Sequence, residues 1–114
     1  MLRDVRLYLD DILQAEGKIQ AFISEMDFEQ FAEDPRTQDA VIRNFEIIGE
    51  AIKHLPENLK NRRRDIPWGK VAGFRDVIAH AYFGVDLNVV WVVATRDLDP
   101  VLRATRELLS ALGG

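Results

Sequence analysis

The sequence predicts an all-α fold, an up-and-down antiparallel bundle of four or five helices without a sheet. In each long segment the apolar residues recur three or four positions apart, which is the helical period, rather than at every second position. Prolines at 35, 56 and 67 mark boundaries between those segments. The length of 114 residues is close to that of one common domain, so a single domain over residues 1–114 is expected.

The first predicted helix covers residues 2–24, and one of its faces is apolar. That face consists of Leu2, Val5, Leu9, Ile12, Ile19 and Ile23. Glu16 lies inside the apolar stripe, where a local polar contact or a kink at the neighbouring Gly17 is expected. Residues 25–36 are interpreted as a mixed connector, punctuated by Asp34-Pro35.

The clearest predicted helix covers residues 37–55. Its buried stripe consists of Val41, Phe45, Ile48, Ile52 and Leu55. Asn44 falls on the apolar side of this helix. Because a buried amide must find hydrogen-bond partners, Asn44 is either a core hydrogen-bonding residue or part of a functional site. His54, near the end of the helix, is interpreted as a residue that interacts with the helix dipole.

The connector between Pro56 and Pro67 carries the dense basic cluster of the chain, Lys60 with Arg62, Arg63 and Arg64. The net charge of the whole chain is −4 and its pI is about 5.1. Proteins that bind nucleic acid through their overall charge are basic, so any RNA contact of this chain must be local. The cluster is either a solvated loop or a set of contacts to RNA phosphates.

A further helix is predicted over residues 68–83, and it contains Arg75, Asp76 and His80. Arg75 and Tyr82 lie together at the edge of its apolar stripe, whereas Asp76 and His80 share the roughly opposite face. On an uninterrupted helix Arg75 and His80 are about 140° apart and would not meet at one phosphate. Either the helix ends near His80 and turns the imidazole round, or a second copy of the chain supplies the missing partner.

The last helix is predicted to begin after Gly84, with Asp86 as its N-cap. The run from Val89 to Val93 is apolar on every side, and its β-propensity makes a strand the local alternative. A lone strand would have no partner in this chain, so we interpret the run as a helix buried partly by the bundle and partly by a partner subunit. Pro100 is expected to kink or restart the helix, with Asp97 or Asp99 as a local cap.

Composition limits the kinds of protein that this chain can be. There is no cysteine, which excludes disulfides, thiolate metal sites and a cysteine nucleophile and fits a reducing cytoplasm. The first residues mix charges and do not resemble a signal peptide, and no apolar run approaches the roughly 20 residues that span a bilayer. We therefore expect a cytoplasmic protein without a membrane partner, a metal site or a cofactor.

One imidazole and one guanidinium in the segment 74–86 leave few reaction types. RNA supplies its own nucleophile, the 2′-hydroxyl, so that a ribonuclease needs only an acid or base and a cation on the phosphate. Histidine suits the first role and arginine the second. The structural alternative is that Arg75 and Asp76 form caps or ion pairs and that His80 is a core or interface residue.

The pattern Arg-x4-His-x-Tyr, formed by Arg75, His80 and Tyr82, has flanks that make it specific. These flanks are Ile66-Pro67-Trp68, Phe83-Gly84-Val85-Asp86, Val90-Trp91 and, upstream, the stretch 42–51. With them, most of the chain resembles the HepT-like toxins of the HEPN superfamily, a family formerly known as DUF86. The family resemblance implies a HEPN-like bundle and a metal-independent ribonuclease whose Arg-x4-His motifs come from the two subunits of a homodimer.

The resemblance also implies a partner and a mode of control. HepT-like toxins of type VII toxin–antitoxin systems pair with a minimal nucleotidyltransferase antitoxin, MntA-like, which transfers AMP to a tyrosine. Tyr82, two residues after His80, matches that tyrosine. Asp76 departs from the Asn that usually follows the arginine, and a carboxylate beside a phosphate site is repulsive. The alternative is therefore a non-catalytic HEPN dimer that is a partner of a nucleotidyltransferase and binds nucleotide.

Overall fold

The computed structural model describes residues 3–81 and 86–113, without the side chains of Arg75 and of residues 77–81. Its helices are α1 (Val5–Ile23), α2 (Phe28–Ala32), α3 (Pro35–Lys53), α4 (Glu57–Lys60), α5 (Trp68–Ala81), α6 (Leu87–Val92) and α7 (Leu98–Ala111). A 3-10 turn, Asn61–Arg63, follows α4, and a π-helical turn, Val93–Asp97, joins α6 to α7. Every regular element in these ranges is helical, so the predicted all-α class is confirmed.

The long helices form an antiparallel bundle in which α1 and α3 are central. Tyr8, near the start of α1, stacks on His54, directly after the end of α3. Arg63, ahead of α5, binds Glu107 near the end of α7. α1 contacts both α3 and α7, and α3 in turn contacts α5. Val5, the first residue of α1, and Leu112, directly after α7, line one groove, so these two helices are antiparallel as well. Each long helix therefore runs in the opposite direction to the neighbour on which it packs.

The hydrophobic core lies between α1, α3 and α7. From α1 and α3 it takes Leu9, Ile12, Ile19, Ile23, Val41, Phe45, Ile48 and Ile52, and from α7 it takes Leu98, Val101, Leu102 and Leu108. Removing these side chains from water is the main favourable contribution to folding. In the described part of the chain, no helix combines the length and the apolar character that a bilayer-spanning segment needs.

Glu16 is a carboxyl group inside this core, where α1 faces α7. Its side chain is 2% exposed, and neither carboxyl oxygen has a hydrogen-bond partner among the described residues. Burial raises the pKa of the Glu16 carboxyl, Asp99 raises it further, and Arg106 opposes both effects. The local polar contact expected at this position is therefore not found among the described residues.

The predicted connector 25–36 contains a short helix, α2, that hydrophobic periodicity did not indicate. Asp27 accepts a hydrogen bond from the backbone N–H of Gln30, and the Gln30 side chain accepts one from the N–H of Asp27. This capping box has a visible sequence signal, Asp27 followed three residues later by Gln30. Asp34 caps α3, which begins at Pro35, two residues before the predicted start.

The C-terminal segment is helical from Leu87 through Ala111, with Asp86 as the N-cap that the sequence predicts. The expected irregularity precedes Pro100 and takes the form of the π-helical turn, in which the N–H of Leu98 donates to the carbonyl of Val93. Proline lacks an N–H and its ring crowds the carbonyl four residues earlier, here that of Arg96 inside this turn. Asp97 forms no side-chain cap, so the helix is deformed rather than restarted.

Candidate functional site

Helix α5 carries Arg75 and His80 on one uninterrupted backbone. Its described part runs from Trp68 to Ala81, so no break separates the two positions. At about 100° per residue, the two backbone positions diverge by about 140° round the helix axis. The side chains of Arg75 and His80, and the whole of Tyr82, lie outside the described residues. Asp76 is described, and it is exposed.

Two aromatic residues fix α5 in the bundle. Trp68, its first residue, is buried, and the indole Nε1–H donates to the carbonyl of Arg63 at 3.1 Å. Phe74 packs edge-to-face on Phe45 of α3, with ring centroids 5.1 Å apart and an interplanar angle of 71°. Position 75 therefore follows directly on a residue that contacts a central helix.

The basic cluster lies at the opposite end of α5 from His80. Arg64 precedes the first residue of the helix, whereas His80 is close to the end of its described part. At a rise of about 1.5 Å per residue, Trp68 and His80 are separated by about 18 Å along the axis. Within one chain the structure therefore does not bring Arg62, Arg63 and Arg64 next to the His80 position.

The three arginines of this cluster have different surroundings. The guanidinium of Arg63 binds both oxygens of Asp65, at 3.0 and 2.8 Å, and also the carboxylate of Glu107. The hydrogen bond to Asp65 is the main cause that raises the pKa of Arg63, and the same contact lowers the pKa of Asp65. Arg62 and Arg64 are exposed, and neither has a side-chain hydrogen bond or ion pair within the described ranges.

Asn44 is buried in α3, with an exposed fraction of 6%. Its amide Nδ2 donates to the carbonyl of Ala40 at 2.8 Å, one helical turn back. Its Oδ1 is buried and has no partner among the residues that the structure describes. The donor side of the amide is satisfied locally, as a core residue requires, while the acceptor side leaves the predicted site role open.

His54 belongs to a different surface, the open groove between α1 and the end of α3, whose volume is about 340 Å³. Its ring is stacked on Tyr8 with centroids 4.7 Å apart, and Nε2 is 3.3 Å from a Glu50 oxygen. Arg3 lies over the same tyrosine ring, 4.7 Å from its centroid, and binds Asp11. This stack at the C-cap of α3 agrees with the interpretation of His54 as a helix-terminal residue, and the sequence spacing of Tyr8 and His54 does not predict it.

Helix α6 leaves apolar side chains in solvent beside α5. Val90 is 1% exposed and belongs to the core, whereas Val89 and Val92 are 40% and 36% exposed. A groove of about 380 Å³ separates the first half of α5 from the π-helical turn, with Val71 and Phe74 on one wall and Val93 on the other. The single chain thus buries one face of the Val89–Val93 run and leaves another uncovered.

The described ranges contain no group of three or more His, Asp or Glu side chains arranged to hold a metal ion. Comparison with known proteins bears on the activity more directly. A family model described as "Ribonuclease HepT-like" matches residues 12–108, a segment that includes all of α5 and the Arg-x4-His positions.

Individual relatives cover nearly the whole chain. A Thermococcus cleftensis protein named "Probable ribonuclease HepT" is 45% identical over 109 residues, which span 96% of this chain and 98% of that protein. "Putative RNase MJ0127" of Methanocaldococcus jannaschii is 37% identical over 112 residues, 98% of this chain and 93% of the relative. No solved structure gives a significant match. Because the family model and these relatives cover almost its full length, the chain belongs to the HepT-like ribonuclease family.

Proposed function

We propose that this chain is the toxin of a type VII HEPN/MNT toxin–antitoxin system, a metal-independent endoribonuclease that uses Arg75 and His80. The observation that carries the proposal is the unbroken α5, which holds both positions at Arg-x4-His spacing inside the segment matched by the family model. The names of the relatives support RNA as the substrate. An RNA substrate and a nucleotidyltransferase partner both favour action in the cytoplasm.

A two-fold homodimer completes the site in this proposal. On one helix the Arg75 and His80 positions diverge, so one copy does not present both groups to the same phosphate. A two-fold axis near α5 and α6 brings two copies of the motif to one cleft and covers the exposed Val89 and Val92. Arg62 and Arg64, which have no described partner, are then available to contact the RNA backbone outside the cleft.

The proposed chemistry needs two imidazoles and at least one guanidinium. One His80 accepts the proton of a ribose 2′-hydroxyl while that oxygen attacks the adjacent phosphorus, and the bond to the 5′-oxygen breaks. The second His80 of the dimer donates a proton to the departing 5′-oxygen. Arg75 binds the phosphate oxygens, where negative charge increases in the transition state.

The test is RNA cleavage by the purified dimer in the presence of EDTA. His80→Ala should lower the rate by about 10²–10⁴-fold, the range for a general acid or base. Arg75→Ala should lower it by about 10²–10³-fold, as for other groups that stabilise transition-state charge. His54→Ala is the matched control, because it removes the other histidine, at the far end of α3. Cleavage that survives both α5 substitutions would show that the active site lies elsewhere.

Control by AMP transfer to Tyr82 is the second part of the proposal. The modification places a phosphate and a nucleoside near Arg75, where they compete with the RNA backbone for the guanidinium. Tyr82→Phe should keep most of the cleavage activity and escape neutralisation by the antitoxin. Peptide mass spectrometry after co-expression with the cognate nucleotidyltransferase decides the point. Suppressed toxicity without an AMP adduct on the Tyr82 peptide would indicate neutralisation by binding alone.

The alternative function, a non-catalytic HEPN dimer that binds a nucleotidyltransferase and a nucleotide, is favoured by one observation. Asp76 is exposed next to Arg75, and its carboxylate opposes an approaching phosphate. Under the catalytic proposal, Asp76→Asn should preserve or raise the cleavage rate. A parent protein that binds RNA and a nucleotidyltransferase without cleaving RNA, even as the Asp76→Asn variant, would favour the alternative.

A further inference from the structure

We propose that Arg63 is a positioning residue that fixes helix α5, and with it the Arg75 and His80 positions, rather than a contact to RNA. This inference rests on the proposed function and refines it, because the sequence places Arg63 in a basic cluster suited to phosphate binding. In the structure, the guanidinium and the backbone carbonyl of Arg63 form hydrogen bonds with residues from three different parts of the bundle.

The guanidinium of Arg63 is occupied by protein carboxylates. Nε and one terminal nitrogen bind the two oxygens of Asp65, and the other terminal nitrogen binds Glu107 of α7. The Arg63 side chain is 25% exposed, much less than that of either carboxylate. Three of the five N–H donors of the guanidinium are already bound to carboxylates, so a phosphate would have to compete with two anions.

The carbonyl of Arg63 accepts the hydrogen bond of the buried Trp68 indole, the first residue of α5. One residue therefore joins the connector, the end of α7 and the start of α5. Among the described residues the extensive contacts of α5 are with α3, and the Arg63 junction adds a link between the start of α5 and the end of α7. A rigid helix transmits a change at Trp68 to His80, about 18 Å along its axis.

The two roles of Arg63 predict opposite effects for its partner Glu107. If Arg63 binds RNA, removing the Glu107 charge frees the guanidinium and should tighten RNA binding. If Arg63 positions α5, Glu107→Gln should lower the turnover number as Arg63→Gln does and leave RNA affinity unchanged. The variant Trp68→Phe tests the same junction without changing any charge, because it removes the indole donor together with part of a buried ring.

The experiment measures cleavage and binding separately, with a labelled single-stranded RNA of mixed sequence. Turnover is measured in the Arg63→Gln, Glu107→Gln and Trp68→Phe proteins, and affinity at several salt concentrations is measured in the same variants carrying His80→Ala. Arg63→Gln should lower kcat at least tenfold with unchanged affinity and salt slope. Arg103→Gln is the control, because it also removes an exposed arginine–carboxylate pair from α7, and its kcat should equal that of the parent.

Hydrogen exchange of the α5 amides provides a readout that does not depend on activity. Exchange should become faster in α5 for Arg63→Gln and Trp68→Phe, and stay at the parental rate for Arg103→Gln. Weaker RNA binding with a salt slope reduced by about one in Arg63→Gln, together with tighter binding in Glu107→Gln, would overturn the inference. So would unchanged α5 exchange in Arg63→Gln. A parent without RNA cleavage contradicts the proposed function, and the exchange result still decides the role of Arg63.

Discussion

The side of the bundle formed by α1, α3 and α7 differs from the side formed by α5 and α6. On the first side, side chains such as Ile12 and Ile48 are at most 1% exposed. On the second, Val89 and Val92 remain in solvent, and a groove separates α5 from the π-helical turn. The first side closes its own core within one chain. The second carries the Arg-x4-His positions and exposes two valines one turn apart on α6, whereas the exposed apolar residues of α1, Leu7 and Phe22, are far from each other along the helix. Adjacent exposed apolar residues suit a region completed by another molecule.

The largest expected effect is a difference in stability between substitutions on the two sides. Ile48→Ala should lower the free energy of unfolding by about 2–5 kcal/mol, because it opens a cavity in the closed core. Val89→Ala, measured on the monomer, should lower it by less, about 0.5 kcal/mol, because Val89 is 40% exposed and its removal opens no enclosed cavity. Urea unfolding followed by circular dichroism measures both values. Similar losses in the two variants would remove the distinction between the two sides.

Glu16 is a buried carboxyl without a described hydrogen-bond partner in the core between α1, α3 and α7, and replacing it should stabilise the protein. Glu16→Leu should raise the free energy of unfolding at pH 7 by about 1–3 kcal/mol, because it replaces a buried carboxyl that lacks a described partner. Leu7→Ala, a change at an exposed position of the same helix, serves as the control. A destabilised Glu16→Leu protein would show that the carboxyl has a favourable partner.

The same carboxyl predicts a pH dependence. Burial raises its folded-state pKa above the unfolded value of about 4.5, so the folded protein binds this proton more tightly. Its contribution to stability therefore increases as pH falls through the folded pKa and becomes constant below the unfolded one. The difference in unfolding free energy between Glu16→Leu and the parent should shrink from pH 7 towards pH 4. A difference that grows on acidification would contradict the raised pKa.

A smaller effect is expected at the start of α3, again on the closed side. Asp34 accepts hydrogen bonds from the Thr37 backbone N–H and hydroxyl, and these contacts lower the pKa of its carboxyl. Asp34→Ala should cost about 1 kcal/mol at pH 7, and the cost should vanish as acid protonates the parental carboxylate. Asp39→Ala, an exposed acidic position within α3, should cost less. Equal costs would mean that the cap contributes little.

The smallest expected effect on folding concerns Val92, and there the readout is association. Val92→Ser should change the unfolding free energy of the monomer by no more than about 0.5 kcal/mol. In the proposed dimer it should weaken association, because it places a hydroxyl in an apolar contact. Light scattering at micromolar concentration measures the change, with Leu7→Ser as an exposed apolar control on α1. A parent that is already monomeric at that concentration would contradict the dimer.

The sequence predicts the long helices because each has enough turns for its apolar stripe to be recognised. Residues 37–55, for example, carry five stripe residues, and α3 is found at Pro35–Lys53. Helix α2 has only five residues, too few to establish a period, and its signal is the Asp27–Gln30 capping pair. The nearby Pro100 predicts an irregularity in the helix, but it does not distinguish a π-helical turn from a kink.

Some features of the candidate site can likewise be predicted from the sequence, and others cannot. The spacing of Arg75 and His80 and their divergence of about 140° follow from helical geometry and are retained by the backbone of α5. The separation of Arg64 from His80 could also have been calculated from the helix length. The contact between Arg63 and Glu107 could not be predicted from the sequence, because the two residues are 44 positions apart and meet only in the tertiary fold.

The π-helical turn determines the phase between the two halves of the C-terminal helix. In such a turn the chain contains one residue more than an α-helix of the same hydrogen-bonded length, and one residue corresponds to about 100° of rotation. Deleting a residue between Val93 and Asp97 while α7 keeps its place would therefore rotate Val89 and Val92 to another azimuth. The direction in which α6 presents its exposed valines is set by the extra residue of the π-helical turn, outside α6. The orientation of this surface can therefore change while its residues stay the same.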